Sequence, residues 1–290
     1  MTKKVGGCVV LYNPEDKVLN NIAAFKTHID FFLVVDNSPE QNLQFVSDLK
    51  NLHSEVRYTW MGENRGIAYA LNIACQMAIL ENCMWLLTMD QDSSFKRSEL
   101  SNFLLSIDEV TNIFDSAGII CPYHNIHDWF SLGGDNHFQE IRSTMTSGNL
   151  INLQVYQKVG GFKEDLFIDY VDHDYCLRIR KRGFKIIQNN KILLEHSLGH
   201  FELKRFLWKR FGVSNHNHIR RYYITRNGLY TAASYFFFDP RFCIKILQNL
   251  TYDLIRVLFF EKNKFLKFKA MIIGFWHWMI NRFGQYDLKK

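Results

Sequence analysis

The sequence contains no Cys-x-x-Cys pair and none of the Cys and His spacings typical of a zinc site. Its six cysteines are scattered, and we interpret them as small core residues in a reducing compartment. The glycine-rich loops of dinucleotide-binding folds and of P-loop enzymes are also missing, so neither class is indicated. The N-terminal residues 1–4 lead straight into an apolar strand and do not resemble a secretory signal. We therefore expect a cytoplasmic protein.

Charge is distributed unevenly along the 290 residues. Residues 1–200 contain 18 Lys and Arg against 24 Asp and Glu, a net charge of −6, whereas residues 201–290 contain 17 against 5, a net charge of +12. A basic, aromatic-rich segment can bind nucleic acid, anionic lipid or a polyanionic substrate. No nucleic-acid-binding motif accompanies it, so we expect no nucleic-acid partner. Its longest uncharged apolar run, residues 270–280, is shorter than the ~20 residues of a spanning helix.

Short apolar runs alternate with helical patterns in the first half of the chain. Strands are predicted at Val5–Leu11, Phe31–Val35, Val56–Trp60, Trp85–Asp90, Gly118–Pro122 and Thr144–Ile151. A helical pattern through Val18, Ile22 and Phe25 follows the first strand. A second helical pattern begins after Gly66 and follows the third strand. Alternating strands and helices predict a parallel sheet flanked by helices, with a ligand site at the carboxyl ends of the strands.

Two carboxylates, Asp90 and Asp92, end the apolar run that begins at Trp85. In an extended chain they point to the same side, a spacing that suits a hard cation shared with a diphosphate. A solvated surface loop is the alternative interpretation. Gly66, at a helix N-terminus beside Arg65, suits an anion, although it could serve only to permit a turn.

Acidic residues precede and open a helix that we predict to begin near Asp172 and to end at Gly183. Helix capping and the helix dipole, worth roughly 0.3 to 1 kcal/mol each, would favour these acids without any chemistry. Three arginines lie further along the chain, at Arg220, Arg221 and Arg226. They predict either a cationic closure over phosphates or a solvated basic helix face.

Taken together, these segments resemble the inverting glycosyltransferases of family 2, over roughly residues 5–230. The matching segments are Val9–Pro14, Val34–Ser38, Glu63–Ala68, Asp90–Asp92, Thr146–Gly148, Gly160–Phe162 and Asp172–Arg178. The chain looks most like rhamnosyltransferases of bacterial polysaccharide assembly, in Met89–Ser93, Leu166–Asp172, Leu194–His196 and Arg220–Asn227. The resemblance implies an α/β, GT-A fold in residues 1–230, with a mostly parallel sheet flanked by helices. Residues 231–290 would form a basic, amphipathic helical extension.

The resemblance also implies roles for the matching positions. Those for the nucleotide-sugar donor are Leu11, Tyr12, Asn13, Asp36, Arg65, Gly66, Asp90, Gln91, Gly148 and Arg226. The acid at position 36 can accept a base N–H and so suits uracil or thymine. Mg²⁺ or Mn²⁺ is expected on Asp92, with Asp90 and His196, although a hydrogen-bonded core histidine is the alternative for His196. Asp172 aligns with the general base. The chain departs from the family pattern at two positions. Many members have Glu at the position of Val171, so Asp174 remains the alternative base. Many also have Thr at the position of Leu11.

The implied reaction is transfer of L-rhamnose from dTDP-L-rhamnose to a hydroxyl of a lipid-linked glycan, with inversion. A UDP-hexose or UDP-galactofuranose donor is the alternative, as is a noncatalytic donor- or polyanion-binding protein. Residues 236–283 show a helical apolar pattern together with clustered lysines. This pattern predicts amphipathic helices peripheral to the inner face of the plasma membrane, with a dimer-forming or core-covering helix pair as the alternative. The sequence does not indicate the oligomeric state.

Overall fold

The computed structural model describes residues 3–26, 28–96, 99–125, 136–196, 202–206, 209–213 and 215–286. Contacts divide the chain into two compact units, of which the first contains residues 1–162 and 175–197. The second contains residues 163–174 and 198–290. The sequence instead predicts one boundary at residue 230. The two divisions differ because the helix that contains Arg226 packs against the two C-terminal helices and also binds the backbone of residues 165 and 166.

The first unit contains a large sheet. Its strands are β1 (Val5–Leu11), β2 (Phe31–Asp36), β3 (Arg57–Trp60), β4 (Trp85–Asp90), β5 (Ser93–Phe95), β6 (Ala117–Asn125), β7 (Phe138–Ile141), β8 (Asn149–Asn152) and β9 (Lys185–His196). Among the described residues the order is β3-β2-β1-β4-β8-β6-β9-β5, and β7 also pairs with β9. β1 to β4 pair in parallel, as do β6 and β9, whereas β5, β7 and β8 are antiparallel to their neighbours. This mostly parallel sheet confirms the predicted α/β class.

Helices cover the sheet. They are α1 (Lys17–Lys26), α2 (Leu43–Leu52), α3 (Ile67–Leu80), α4 (Glu99–Ile113), α5 (Leu153–Val159) and α6 (Val171–Lys181), whose first turn belongs to the second unit. Val18, Ile22 and Phe25 of α1 are buried in the same core cluster as the inward-facing residues of the sheet, as predicted. All six cysteines are buried free thiols. Burial raises the pKa of the Cys8 thiol to about 12, which suits a core residue rather than a nucleophile.

The strand predicted over Thr144–Ile151 begins only at Asn149. Gly148 has a φ of 78°, which lies outside the β region. Its N–H donates a hydrogen bond to the Thr88 carbonyl oxygen at 2.7 Å, so the preceding residues form a turn against β4.

The second unit is mainly helical. It contains the hairpin β10 (Glu202–Phe206) and β11 (Lys209–Val213), followed by α7 (His218–Tyr235), α8 (Pro240–Phe259) and α9 (Lys264–Met279). α7 packs against both α8 and α9. A helical C-terminal region is therefore present, as predicted. Within the described part of the chain, none of the helices combines the length and apolar character needed to cross a membrane.

Candidate active site

The carboxyl ends of β1, β2 and β4 lie side by side at one edge of the sheet. β1 is between the other two strands, with Leu11 opposite Asp36 and Val10 opposite Asp90. Because the three strands are parallel, their polar C-terminal residues lie at the same edge. The structure therefore brings together the residues predicted to bind a donor at these three strand ends.

The turn that leaves β1 is anchored to the segment after β2. Leu11 is fully buried, and its carbonyl oxygen accepts the Asn37 N–H at 2.9 Å. The N–H of Asn13, whose φ is 47°, donates to Ser38 Oγ at 2.7 Å. Tyr12, between them, has an exposed side chain. The backbone at this turn is thus fixed, while its outer side is open to solvent.

Asp36 ends β2 and is fully buried. Its Oδ1 accepts a hydrogen bond from the Ser38 N–H at 3.0 Å, and its Oδ2 accepts one from the Tyr58 hydroxyl at 2.6 Å. Burial, and then the bond to Asp36, raise the pKa of Tyr58 above its ordinary value, so this hydroxyl remains a donor at neutral pH. Sequence reasoning misses Tyr58 because it is on a neighbouring strand, 22 residues further along the chain.

Two asparagines connect the end of β2 to the N-terminus of α3. Asn37 Oδ1 accepts the Arg65 N–H at 2.9 Å, and Asn37 Nδ2 donates to Asn64 Oδ1 at 3.0 Å. Asn64 Oδ1 also accepts the Gly66 N–H at 3.0 Å. Gly66 caps α3 with a φ of 84°, a conformation that glycine adopts readily. Both asparagines lie in segments that carry the family resemblance, although sequence reasoning gave neither a role.

The Arg65 side chain is exposed beside the start of α3. Its guanidinium carbon is 3.8 Å from the centroid of the Tyr69 ring, and its Nε is 3.8 Å from the Glu63 carboxylate. Stacking on the tyrosine holds a positive charge at the helix N-terminus, where backbone N–H groups already favour an anion.

Hydrogen bonds also fix the segment that follows β4. The N–H of Asp90 donates to Ser147 Oγ at 3.0 Å. The Tyr12 N–H donates to Gln91 Oε1 at 2.9 Å, and Gln91 Nε2 donates to the Tyr12 carbonyl oxygen at 3.2 Å. Asp90 is partly buried, whereas Asp92 is exposed. The two predicted metal-binding carboxylates therefore extend from a backbone that is fixed against β1.

Carboxylate oxygens such as those of Asp90 and Asp92 suit Mg²⁺ or Mn²⁺, which keeps water and phosphate oxygens as its other ligands. The residue after Asp92, Ser93, is opposite His196 in the pairing of β5 with β9. The side chain of His196 lies outside the described residues. No group of three His, Cys, Asp or Glu side chains that could hold a metal occurs in the part of the chain that the structure describes. Two carboxylates nevertheless fit a cation that is shared with a diphosphate.

Gly148 is required by packing. A Cβ at this position would lie 2.7 Å from Leu194 Cδ2 and 3.0 Å from Pro122 Cγ, closer than side chains tolerate. The neighbouring Ser147 supports Asp90, so this turn contributes to the strand edge indirectly. Close approach of a ligand to the Gly148 backbone stays a prediction.

The predicted general base belongs to the second unit, in the first turn of α6. The Asp172 side chain is 25% exposed, and its Oδ1 accepts the His173 N–H at 2.8 Å. Asp174, the alternative, is fully buried and accepts a hydrogen bond from the Tyr235 hydroxyl at 2.8 Å. Of the two acids, Asp172 is therefore the one that solvent, and hence a substrate, can reach.

Arg226 is also in the second unit and is fully buried. Its Nε donates to Asn227 Oδ1, and its Nη1 donates to Tyr222 Oη and to the Gly284 carbonyl oxygen. Its Nη2 donates to the carbonyl oxygens of Asp165 and Leu166. The five distances are 2.8–3.2 Å. These bonds occupy the guanidinium, leaving it no N–H for the donor contact expected from sequence. In this arrangement Arg226 instead ties α7 to residues 165–166 and to the C-terminal segment.

Comparison with known proteins finds a matching family model and a curated relative. The model described as Glycosyl transferase family 2 matches residues 8–176. The dTDP-rhamnosyl transferase RfbF of Shigella flexneri is 28% identical over 247 residues, which cover 78% of this chain and 79% of that protein.

Solved structures share the fold at low sequence identity. TarS of S. aureus (residues 1–349), in complex with UDP-GlcNAc, has a TM-score of 0.56 and 15% identity, covering 93% of this chain and 80% of that one. GalNAc-T7 with UDP, GalNAc and Mn²⁺ has a TM-score of 0.55 and 12% identity, covering 67% of this chain and 43% of that one. The present chain thus spans less than half of GalNAc-T7. At these identities the likeness shows the fold, which is GT-A-like as predicted.

Proposed function

This chain belongs to glycosyl transferase family 2, and we propose that it transfers L-rhamnose from dTDP-L-rhamnose to a hydroxyl group of a glycan, with inversion at the anomeric carbon. The donor assignment depends on one observation, the 28% identity to a dTDP-rhamnosyl transferase over 79% of that protein. A UDP-sugar, either UDP-galactofuranose or a UDP-hexose, is the second candidate, because a carboxylate such as Asp36 can accept a hydrogen bond from uracil as well as from thymine.

We assign the donor to the carboxyl edge of β1, β2 and β4. The backbone of Leu11, Tyr12 and Asn13 would border the nucleoside, with Asp36 beneath it. Because Asp36 is fully buried, contact with the base requires a neighbouring side chain to move. Arg65 supplies positive charge next to the N-terminus of α3.

A divalent cation, Mg²⁺ or Mn²⁺, would be held by Asp92 together with Asp90 and would neutralise charge on the diphosphate. The chemistry of these two side chains supports the assignment, since both offer hard oxygen ligands at the edge where a diphosphate is expected. His196 remains a candidate third ligand from sequence alone.

Asp172 is the proposed general base. Its carboxylate takes the proton of the acceptor hydroxyl while that oxygen forms a bond to the anomeric carbon. The bond from this carbon to the diphosphate breaks, and the nucleoside diphosphate leaves with the electron pair. The partial exposure of Asp172 and the burial of Asp174 support this choice of base.

We further propose a glycan acceptor linked to polyprenyl diphosphate, reached from the inner face of the plasma membrane. One face of α9 is buried within the second unit, at Lys267, Ala270, Met271 and Gly274. The opposite face exposes large apolar side chains, namely Phe265, Phe268, Ile272, Phe275, Trp276 and Met279, which we call the α9 stripe. Exposed Lys264 and Lys269 flank it. These lysines attract anionic lipid but would repel the same face of a second copy, so they favour a bilayer over a dimer.

Release of nucleoside diphosphate from dTDP-, UDP- and GDP-sugars, measured with Mg²⁺, Mn²⁺ or EDTA, tests the reaction. We expect metal-dependent turnover of dTDP-L-rhamnose, reduced at least 100-fold in Asp92→Ala and in Asp172→Asn, and unchanged in Asp115→Asn, an exposed aspartate. Preference for a UDP-sugar would overturn the donor. Full glycan assembly by Asp172→Asn would instead support the noncatalytic alternative.

Flotation with vesicles tests the membrane proposal. The double variant Phe265→Ser/Ile272→Ser should lose binding to vesicles rich in phosphatidylglycerol, whereas Leu80→Ser/Leu105→Ser, which changes two exposed leucines of the first unit, should retain it. Binding should weaken with added salt and with pure phosphatidylcholine. Concentration-dependent dimers that the α9 double variant abolishes, without vesicle binding, would contradict the proposal.

A further inference from the structure

Three residues just before Asp172 have positive φ angles, and one of them, Phe167, has a ψ of −64° and is the centre of a γ-turn. Phe167, Asp169 and Tyr170 have φ values of 66°, 58° and 63°. Such sparsely populated backbone conformations cost residues other than glycine about 1 to 3 kcal/mol each, so they persist only where the surrounding structure imposes them. The segment leads directly into α6, whose second residue is Asp172. Backbone strain is therefore concentrated immediately before the proposed base.

Asn227, on α7, binds the carbonyl groups of this strained segment. Its Nδ2 is 2.8 Å from the carbonyl oxygen of Leu166, 2.7 Å from that of Ile168 and 3.0 Å from that of Asp169. Its Oδ1 accepts the Arg226 Nε–H at 2.9 Å, which fixes the orientation of the amide. The side chain is fully buried, so these bonds form in a medium of low dielectric constant, where they are strong.

Other residues of α7 hold the side chains of the same segment. Arg220 Nε is 3.1 Å from Asp169 Oδ1, and the ring of Phe167 stacks on Tyr223 with centroids 5.2 Å apart. Asn227 differs from both because it binds the backbone itself, on either side of Phe167. It therefore restrains the φ and ψ angles rather than a side chain.

We propose that Asn227 is a positioning residue for the general base, fixing the backbone from which the Asp172 carboxylate projects. The inference rests on the proposed function, because it takes Asp172 as the base. Asn227 would act on proton transfer and not on donor binding. A misplacement of about 1 Å in a reacting group can reduce the rate of catalysis about 100-fold.

Two substitutions test this role. Asn227→Ala removes the amide, and Asn227→Ser keeps one hydroxyl donor at a shorter reach. We expect kcat to fall about 10- to 100-fold in Asn227→Ala and less in Asn227→Ser, with the dTDP dissociation constant and the donor KM unchanged within 2-fold. The acidic limb of the pH profile of kcat should move, since the environment of the base changes. Asn249→Ala, at an exposed asparagine of α8, is the matched control.

The folded fraction, measured by circular dichroism, is used to correct each kcat. A loss of activity that only follows the folded fraction, with an unchanged pH profile in Asn227→Ser, would show a merely structural role and overturn the inference. Asp172→Asn is measured in parallel. If Asp172→Asn keeps full activity, the proposed function fails; if it is inactive while both Asn227 variants keep kcat, only the positioning role fails.

Discussion

The side-chain amide of Gln91 pairs with the backbone of Tyr12 through two hydrogen bonds, one in each direction, at 2.9 and 3.2 Å. Asn21, on α1, donates a further bond to the Gln91 carbonyl oxygen at 2.9 Å. The pair joins the end of β1, proposed to border the nucleoside, to the segment at the end of β4 that contains Asp90 and Asp92. It also gives a physical reason for an amide between the two carboxylates.

Gln91→Glu should raise the donor KM about 10-fold and leave the fold intact. A carboxylate cannot donate to the Tyr12 carbonyl oxygen, so one hydrogen bond, worth about 0.5 to 1.5 kcal/mol, is replaced by repulsion. Initial rates over a range of donor concentrations measure the effect. Gln76→Glu, at an exposed position of α3, controls for the added charge. Equal KM values in the two variants would contradict the proposed role of the pair.

The sequence predicts best the elements that are apolar throughout. β1 has the bounds expected from its apolar run, and β2 extends one residue further, to Asp36. Helix α2 is not among the predicted elements, although its buried residues Phe45, Val46 and Leu49 recur at helical spacing. It depends on an N-cap, in which Asn42 Oδ1 accepts the Phe45 N–H, and on burial of Phe45 and Leu49.

The site is predictable only in part, for a related reason. Strand ends identify Asp36, Asp90 and Asp92, because polar residues follow apolar runs there. Their partners depend on register between distant segments, which local pattern does not contain; Tyr58 and Ser147 are examples. The burial of Arg226 is also not predictable, because the sequence shows that α7 is basic but not which of its arginines become buried when the unit folds.

Gly148→Ala should destabilise the protein by about 1 to 3 kcal/mol more than Gly62→Ala does. The two glycines have nearly equal φ values, 78° and 77°, so the conformational cost of alanine is the same at both. They differ in surroundings: a Cβ at position 148 would overlap Leu194, whereas one at position 62 meets nothing within 4 Å. Urea unfolding gives the comparison, and equal losses would show that the Leu194 contact relaxes without cost.

Tyr58→Phe should weaken dTDP binding and lower the free energy of unfolding by about 1 to 3 kcal/mol, while leaving kcat at saturating donor within 2-fold. The hydroxyl is the donor to Oδ2 of the buried Asp36, and without it that oxygen loses a hydrogen bond where water does not reach. Calorimetric titration with dTDP and urea unfolding measure the two effects. Tyr252→Phe, at an exposed tyrosine, is the control. Unchanged dTDP affinity would show that Asp36 does not contribute to binding of the thymine base.

Acid should destabilise the protein through His216. Burial, followed by the charges of Arg220, Arg221 and Lys267, lowers the pKa of His216 from 6.5 to about 3. Below pH 6.5 the unfolded state therefore binds a proton that the folded state does not. The stability associated with neutral His216 is complete above pH 6.5 and is lost progressively as the pH falls toward 3.

Substitution of His216 should remove this part of the pH dependence. Arg221 and Lys267 are both buried and both paired with Glu261, so these two cations are held in place within the second unit. Urea unfolding at pH 7, 6, 5 and 4 should give a shallower loss of stability in His216→Gln than in the wild type. His218→Gln, which removes a histidine two residues away, is the matched control. If the two variants show the same slope as the wild type, His216 is accessible to protons in the folded state and the cations around it do not suppress its charging.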